Sequence, residues 1–107
     1  MKECDQTWLR KLEEVIKENL HKPTFYLTDL ADQLSVSLST LNRKIKELTQ
    51  LSPRAYIREK RLTHAKELLE KGTYSSVAEV AYAVGYQHVN YFSKLYEKKY
   101  GKKPSQY

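Results

Sequence analysis

Cysteine, glycine and proline are scarce in this chain, and each scarcity excludes a class of structure. The 107 residues contain one cysteine, Cys4, together with three glycines and three prolines. A single cysteine forms no internal disulfide and has no second thiol with which to build a zinc site. Few helix breakers among many Leu, Glu, Lys and Ala residues favour one compact, mostly helical domain.

Long apolar runs and catalytic constellations are also missing. No run approaches the roughly 18 residues needed to span a bilayer, and the amino terminus lacks the apolar centre of a signal peptide. The histidines, His21, His64 and His88, have no cysteine or carboxylate partners at ligand or triad spacing. We therefore expect a soluble, cytoplasmic chain with no membrane contact from this segment, no enzymatic activity, no metal site and no cofactor.

Positive charge is concentrated in two blocks, within a net charge of +6. Residues 39–66 hold eight basic and two acidic side chains, and residues 89–107 hold five lysines and one glutamate. The remaining stretches, 1–38 and 67–88, are each slightly acidic. Segregated positive charge of this kind indicates a polyanionic partner.

Helical periodicity and cap residues predict an all-α fold of about seven helices. The first helix runs from Asp5 to about Leu20, and Pro23 ends it because the residue before a proline leaves the helical region. Ser52 followed by Pro53 starts a long helix. We predict two helical subdomains, 5–51 and 72–107, joined by a connector helix over 52–71. The other predicted cap residues are Thr28, Ser37 and Ser76, the last in a capping box with Glu79.

The second half of the chain repeats the first. Residues before a predicted turn match at an offset of 50, and residues after it match at an offset of 51. Two copies joined by one helix indicate paired modules. The matched pairs are Leu27/Val77, Asp29/Glu79, Leu30/Val80, Ala31/Ala81, Leu34/Val84, Leu41/Phe92, Arg43/Lys94, Ile45/Tyr96, Pro53/Pro104 and Tyr56/Tyr107.

Each copy has the form of a helix-turn-helix, whose second helix enters the major groove of double-stranded DNA. In the first copy Leu41, Ile45 and Leu48 must face the core, so the opposite side of that helix is polar. Arginine can donate two hydrogen bonds to guanine, and asparagine can pair with adenine. The candidate base-reading residues are Ser39, Asn42, Arg43 and Lys46 in the first unit, and Asn90, Ser93 and Lys94 in the second.

Phosphate contacts are expected from groups beside these helices, namely helix N-termini and flanking basic side chains. Arg61 could hold a phosphate or an internal carboxylate. Glu97 could accept a hydrogen bond from cytosine, although an acid there more often faces water or pairs with Lys94 or Lys98. The candidate phosphate contacts are Thr28, Lys44, Arg61, Ser76, Lys98, Lys99 and Lys102.

These residues resemble the DNA-binding domain of the AraC/XylS family of bacterial transcription regulators, from about Trp8 to Tyr107. The matching stretches are Leu30-Ala31 with Ser37-x-x-x-Leu41-x-Arg43, Ser52-Pro53-x-x-Tyr56-Ile57 with Arg61-Leu62-x-x-Ala65, and Val80-Ala81-x-x-Val84-Gly85-Tyr86 through Tyr91-Phe92-Ser93-Lys94 to Gly101-x-x-Pro104-Ser105-x-Tyr107. The resemblance implies seven helices, two reading helices in successive major grooves and control of transcription at promoters. It also implies double-stranded DNA as partner, RNA polymerase as a candidate partner and association with the nucleoid.

Two departures from the family pattern concern the first unit. The family often has glycine where Ser35 and Gln50 stand, and a left-handed backbone there would cost about 1 kcal/mol each relative to glycine.

Family members usually carry a second, sensing domain, for which this chain has no room. The chain is therefore similar to the output domain of a response-regulator-type protein, although a stand-alone regulator is an alternative. We expect the isolated domain to be monomeric, while a longer parent could be dimeric or membrane-anchored.

Two other binding functions compete with duplex recognition. The nine tyrosines could stack on RNA or single-stranded bases, although Tyr56, Tyr86 and Tyr96 fall on apolar stripes, so that most tyrosines are predicted to be core. Alternatively, the basic blocks could dock on an acidic protein.

Overall fold

Six α-helices and one 3₁₀ turn make up the computed structural model, which describes residues 3–23 and 25–107. This confirms the predicted all-α class, with the 3₁₀ turn as the seventh helical element. The side chain of Cys4 lies outside the described residues. No helix within the described ranges is long and apolar enough to cross a membrane. The elements are α1 (Glu3–Asn19), α2 (Leu27–Gln33), α3 (Leu38–Thr49), α4 (Pro53–Lys71), α5 (Val77–Ala83), α6 (Val89–Tyr100) and the 3₁₀ turn (Pro104–Gln106).

The first helix, α1, ends within one residue of the predicted position. It stops at Asn19, before Leu20 and Pro23, and the Asn19 side-chain amide donates to the carbonyl of Val15 at 2.7 Å. Asparagine side chains that bond to nearby backbone compete with further helix formation, which favours an end at this residue. Leu20 is nevertheless buried.

The described residues divide into two compact units. The first contains α1 and Phe25–Lys60, and the second contains residues 20–23 and Arg61–Tyr107. Both units bury residues of α4, which contributes to each. The buried apolar side chains of the first unit are Leu12, Val15, Ile16, Leu30, Ala31, Leu34, Leu41, Ile45, Tyr56 and Ile57, and the second unit has a cluster of Leu62, Ala65, Val80, Ala81, Val84, Phe92 and Tyr96.

The repeat in the sequence is also a repeat of backbone hydrogen bonds. In the first unit the N–H of Val36 donates to the carbonyl of Ala31 at 3.0 Å. In the second unit the N–H of Tyr86 donates to the carbonyl of Ala81 at 2.8 Å. The same turn therefore follows α2 and α5, and it delivers the chain into α3 and α6 respectively.

Left-handed backbone occurs at matching positions of the two units. Ser35 and Gln50 have φ values of 57° and 65°, and their counterparts Gly85 and Gly101 have 90° and 69°. Only glycine adopts this region without a steric penalty from its side chain. The departures at Ser35 and Gln50 are therefore strained, as the sequence indicated.

The helix caps follow the prediction at three positions and differ at one. Ser37 and Ser76 cap α3 and α5 by accepting from the N–H three residues later, and the Ser52 hydroxyl accepts from the N–H of Ala55 at 3.2 Å. The prediction for Thr28 is wrong. α2 begins at Leu27, so Tyr26 is the N-cap residue and makes no side-chain cap bond.

The capping box at α5 is displaced by one residue. The Ser76 hydroxyl accepts from the N–H of Glu79 at 3.2 Å, as the motif requires. The Glu79 carboxylate, however, accepts from the N–H of Ser75 at 3.3 Å and from the Ser75 hydroxyl. The glutamate thus satisfies the residue that precedes the cap.

Candidate nucleic-acid interface

The outward side of α3 carries the four residues chosen from its sequence. Leu41 and Ile45 are fully buried on the opposite side, and the Ser37 cap fixes where the helix begins. An i, i+3, i+4, i+7 stripe must then face away from the core. The exposed residues of that stripe are Ser39, Asn42, Arg43 and Lys46. The structure thus brings donors of four chemical types, a hydroxyl, an amide, a guanidinium and an ammonium group, onto one solvent-facing ridge.

Arg43 has an acidic neighbour on this ridge that the sequence reasoning did not single out. Its Nη1 lies 3.4 Å from a carboxylate oxygen of Glu47, one turn along, and both side chains are about 60% exposed. An exposed pair at this spacing is worth only about 0.3–0.5 kcal/mol. The guanidinium can therefore leave Glu47 for a base edge at a small cost in free energy. The i, i+4 spacing of Arg43 and Glu47 in the sequence could have predicted this pair.

The corresponding side of α6 is polar and borders a groove. Phe92 and Tyr96 are fully buried, whereas Asn90 and Lys94 are exposed and Ser93 is half-buried. A groove of about 310 Å³ is lined by this side of the helix and by the segment around the 3₁₀ turn. Its lining residues are Asn90, Ser93, Lys94, Glu97, Lys103, Pro104 and Ser105. Lys103, an exposed cation beside the reading residues, was not among the predicted contacts.

Glu97 is the acidic member of this groove. Its side chain is exposed. No ion pair within 4 Å joins it to Lys94 or Lys98 in the described part of the chain. Of the alternatives for this residue, the ion pair is absent, while a water-facing role and an acceptor role both fit the exposure.

A ladder of aromatic rings supports α6 from the buried side. Phe92 packs on Tyr86 and on Tyr96, with ring centroids 5.5 and 5.9 Å apart. The hydroxyl of Tyr96 shares a hydrogen bond of 2.6 Å with that of Tyr107. Burial, followed by this hydrogen bond, raises the pKa of Tyr96 above its usual value. The C-terminal residue is therefore part of the support for the second reading helix.

The prediction that most tyrosines belong to the core is wrong. Tyr56 and Tyr96 are buried and Tyr86 is half-buried, as expected. Five of the nine tyrosines are exposed by 43% or more, because the phenol group can lie along the surface with its hydroxyl in water. The exposed tyrosines are Tyr26, Tyr74, Tyr82, Tyr91 and Tyr107.

Several candidate phosphate contacts are lysines that lie over aromatic rings. The Lys44 Nζ is 4.6 Å from the centre of the Trp8 ring, and the Lys102 Nζ is 3.9 Å from that of Tyr107. Lys99 lies 5.3 Å from the Tyr100 ring, and Lys98 is exposed. Such contacts hold an ammonium group near the surface without neutralising its charge. These lysines remain chemically able to bind phosphate.

The prediction that Arg61 contacts phosphate is wrong, because its side chain faces inward. Its side chain is buried, at 8% exposure, and none of the carboxylates that the structure describes forms an ion pair with it. The guanidinium donates to the backbone carbonyls of Leu20, Lys22 and Val84. Charge in the sequence could not show that this cation faces inward.

The described residues contain no group of three or more His, Cys, Asp or Glu side chains that could hold a metal ion. The outward sides of α3 and α6 carry mainly hydrogen-bond donors and positive charge, with Glu47 and Glu97 as anionic acceptors. Exposed donors on two helices, each backed by a fully buried stripe, can bind an extended anionic ligand that presents hydrogen-bonding edges.

A family model described as a helix-turn-helix domain matches residues 30–107. Among curated proteins, the chain is 35% identical over 103 residues to histidine kinase P4 of Formosa agariphila, covering 96% of this chain and 7% of the kinase. It is 39% identical over 75 residues to the HTH-type transcriptional activator RhaS of Escherichia coli, covering 70% of this chain and 27% of the activator. The chain therefore spans only a small part of these relatives.

Solved structures of similar fold include one of a transcriptional regulator with an AraC-type DNA-binding domain from Chromobacterium violaceum. It has a TM-score of 0.86 and 26% identity, and covers 98% of this chain and 92% of that one. Another is the DNA-binding domain of the global transcriptional factor AdpA in complex with a target DNA. It has a TM-score of 0.80 and 27% identity, and covers 92% of this chain and 87% of that one.

Proposed function

The chain belongs to the AraC-type family of helix-turn-helix DNA-binding domains, and we propose that it reads a promoter sequence by inserting α3 and α6 into successive major grooves. Its general function is that of a DNA-binding transcription regulator. One observation carries this proposal: α3 and α6 follow the same backbone turn, each ends at a left-handed C-cap residue, and each presents a polar ridge opposite a fully buried stripe.

We assign base reading to the two ridges by their donor and acceptor chemistry. Arg43 and Lys94 suit guanine, whose O6 and N7 accept two hydrogen bonds, and Asn42 and Asn90 suit adenine. These side chains are exposed in the free protein, so none must break a buried contact in order to reach a base. The remaining proposed base contacts are Ser39, Lys46 and Ser93.

Phosphate binding is assigned to residues around the ridges. The set keeps Thr28, Lys44, Ser76, Lys98, Lys99 and Lys102 and adds Lys103. Such contacts position a protein on the duplex but carry no sequence information. Thr28 remains through its exposed hydroxyl alone, since it does not cap α2.

We propose that one chain addresses two adjacent grooves. α4 is one uninterrupted helix of 19 residues, about 28 Å at about 1.5 Å per residue. Successive major grooves on one face of B-DNA are roughly 34 Å apart. We therefore expect a site of about 20 base pairs for a single copy of the domain, which we propose is monomeric in isolation.

The regulatory setting is part of the proposal. The similarity to short stretches of a histidine kinase and of a transcriptional activator supports a role as the output domain of a longer regulator. RNA polymerase is the proposed protein partner at the promoter. Signal detection by a covalently joined domain would then change the fraction of DNA sites that the two ridges occupy.

Selection of bound fragments from random duplexes tests the proposal. The expected result is a site with two specified segments whose centres lie about 10 base pairs apart, together with a protected footprint over both grooves. The matched comparison is a chain that carries Arg43→Ala and Asn42→Ala, in which the segment read by α3 should become random. A footprint over one groove, or an enriched pool with no common sequence, would contradict it.

Exposed tyrosines favour one competing function, the stacking of single-stranded or RNA bases. Tyr91 stands beside Asn90 on α6 with 55% of its surface exposed, and aromatic rings of this kind stack on unpaired bases. Competition between labelled duplex and excess RNA or single-stranded DNA separates the two functions. Displacement of the duplex when the RNA or single-stranded DNA is only at the concentration of the duplex itself would favour stacking.

A further inference from the structure

Arg61 lies within α4, and its guanidinium is held by three backbone carbonyl groups. Nη1 donates to the carbonyls of Leu20 at 2.5 Å and Val84 at 2.6 Å, and Nη2 donates to that of Lys22 at 3.2 Å. All these groups belong to the second unit. One side chain therefore joins three stretches of chain that are distant in sequence, namely α4, residues 20–23 and the end of α5.

The chemistry of arginine suits this junction. A guanidinium carries five N–H donors in a rigid planar fork and no acceptor, so three carbonyl oxygens can be bound from one position. Burial lowers the pKa of Arg61. A buried charge without hydrogen bonds would be costly, and these bonds are its compensation.

The acceptor at Val84 connects this junction to α6. Val84 is the C-cap residue of α5 and is directly followed by Gly85, the left-handed residue of the turn into α6. A Cβ atom on Gly85 would overlap both Nη1 of Arg61 and the carbonyl oxygen of Leu20. The glycine therefore serves the close approach of the guanidinium as well as the turn.

Among its described residues, the first unit has no equivalent of this junction. At the repeat offset of 50, the counterpart of Arg61 is Lys11, which is exposed on α1. The counterpart of Gly85 is Ser35, whose side chain occupies the position that must be empty in the second unit. The two helix-turn-helix units are thus alike in their turns but differ in what fastens the turn.

We propose that Arg61 is a positioning residue for the second recognition helix. By joining α4, residues 20–23 and the α5–α6 turn, it sets the orientation in which α6 presents its ridge, and it does not contact DNA itself. This inference rests on the proposed base-reading function of α6. It replaces the phosphate role that the charge of Arg61 would suggest.

The test compares Arg61→Lys with a matched control, Arg58→Lys, an exposed residue of the same helix. Lysine keeps the positive charge, but its single nitrogen cannot reproduce the planar fork. Binding is measured with the selected two-segment duplex and with duplexes in which either segment is scrambled. The temperature is one at which circular dichroism shows the same helix content for all proteins.

Arg61→Lys should lower discrimination against the duplex scrambled in the α6 segment by tenfold or more. Discrimination in the α3 segment and the salt dependence should stay as in the wild-type and in Arg58→Lys. Two results would overturn the inference: unchanged discrimination with only a lower melting temperature, or equal weakening on all duplexes with a shallower salt dependence. Lack of discrimination by the wild-type would instead contradict the proposed function.

If Arg61→Lys does not fold, or if the wild-type does not discriminate between duplexes, a measurement on the unaltered protein tests the positioning role of Arg61. Nitrogen-15 NMR of the guanidinium groups should show slow exchange of the Arg61 Nη protons in the free protein. Their signals should stay in place when any duplex is added, while those of Arg43 shift. Movement of the Arg61 signals on binding, or fast exchange in the free protein, would be incompatible with a positioning role.

Discussion

Ser35 and Gln50 adopt a left-handed backbone that their counterparts in the second unit, Gly85 and Gly101, adopt as glycines. The Gln50 side-chain amide donates to the carbonyl of Glu47 at 3.1 Å, which compensates part of the strain. The hydrogen bonds of the turns are the same in both units, so the strain arises from the side chains of Ser35 and Gln50 themselves. The first unit therefore carries a local cost that the second does not.

Substituting Ser35→Gly should stabilise the protein by about 0.5–1 kcal/mol, because glycine removes the left-handed penalty and loses part of the gain to a more flexible unfolded chain. Gln50→Gly should gain less, because it also loses the bond to Glu47. Urea unfolding measures both. As a control of opposite sign, Lys11→Gly in the exposed middle of α1 should destabilise by about 0.5–1 kcal/mol. Destabilisation by Ser35→Gly would disprove the strain.

Tyr56 makes the stability of the first unit depend on pH in the alkaline range. Burial, followed by the charge of Glu13 and a hydrogen bond to it, raises the pKa of Tyr56 to about 12. The unfolded tyrosine titrates near 10.0, so its contribution to stability is complete below that pH and is lost as pH rises toward 12. The loss amounts to at most about 2–3 kcal/mol.

Unfolding in urea at several pH values between 9 and 12 checks this dependence. Tyr56→Phe should be less stable at pH 9, because the hydrogen bond to Glu13 is missing, and should show a smaller further loss up to pH 12. Parallel curves for the two proteins would mean that other tyrosines, such as Tyr96, account for the alkaline loss.

At the scale of elements, the caps decide where the reading units begin. Ser76→Ala removes the acceptor for the N–H of Glu79 and should cost about 1 kcal/mol. Thr28→Ala should change stability by less than about 0.5 kcal/mol, because Tyr26 and not Thr28 precedes α2. Thermal unfolding of the two variants, which make the same kind of replacement at matching helix starts, provides the comparison. Equal losses would contradict the boundary of α2.

The reading helices should respond to substitution as independent elements. Arg43→Ala should relax base preference only within the α3 segment, and Lys94→Ala only within the α6 segment, by about 5-fold to 150-fold at the affected base pair, corresponding to about 1–3 kcal/mol. Lys98→Ala should weaken binding to all duplexes alike. Titrations with matched and singly mismatched duplexes distinguish these effects. Identical behaviour of Arg43→Ala and Lys98→Ala would refute the assignment of the ridges.

The salt dependence of DNA binding belongs to the whole molecule, because it sums the phosphate contacts of both positive blocks. Each phosphate neutralised contributes about −0.9 to the slope of log K against log salt concentration. The five lysines of the proposed phosphate set therefore predict a slope of about −4 to −5 for a duplex that engages both units. Fluorescence anisotropy between about 50 and 200 mM salt measures it. A slope of about −1 would indicate that only the first unit binds, because Lys44 alone of the five lysines belongs to it, and a slope of about −3.6 would indicate that only the second unit binds.

Helix content, the repeat and the outward side of α3 and α6 could be predicted because each depends on local spacing in the sequence. Leu41 and Ile45 lie on one side of a helix wherever that helix packs, so Asn42 and Arg43 lie on the other. The two-block charge distribution likewise needs no tertiary information. These local rules carried the fold class and the candidate reading residues.

Only the tertiary structure decided what the charged and aromatic residues contact. Arg61 and Lys44 are both basic side chains on helices, yet one is enclosed by backbone carbonyls and the other lies over Trp8 at the surface. Five exposed tyrosines and the groove beside Lys103 were equally beyond the sequence. Spacing along a chain determines which face a residue occupies, whereas its burial and partners depend on the other segments that the fold brings against that face.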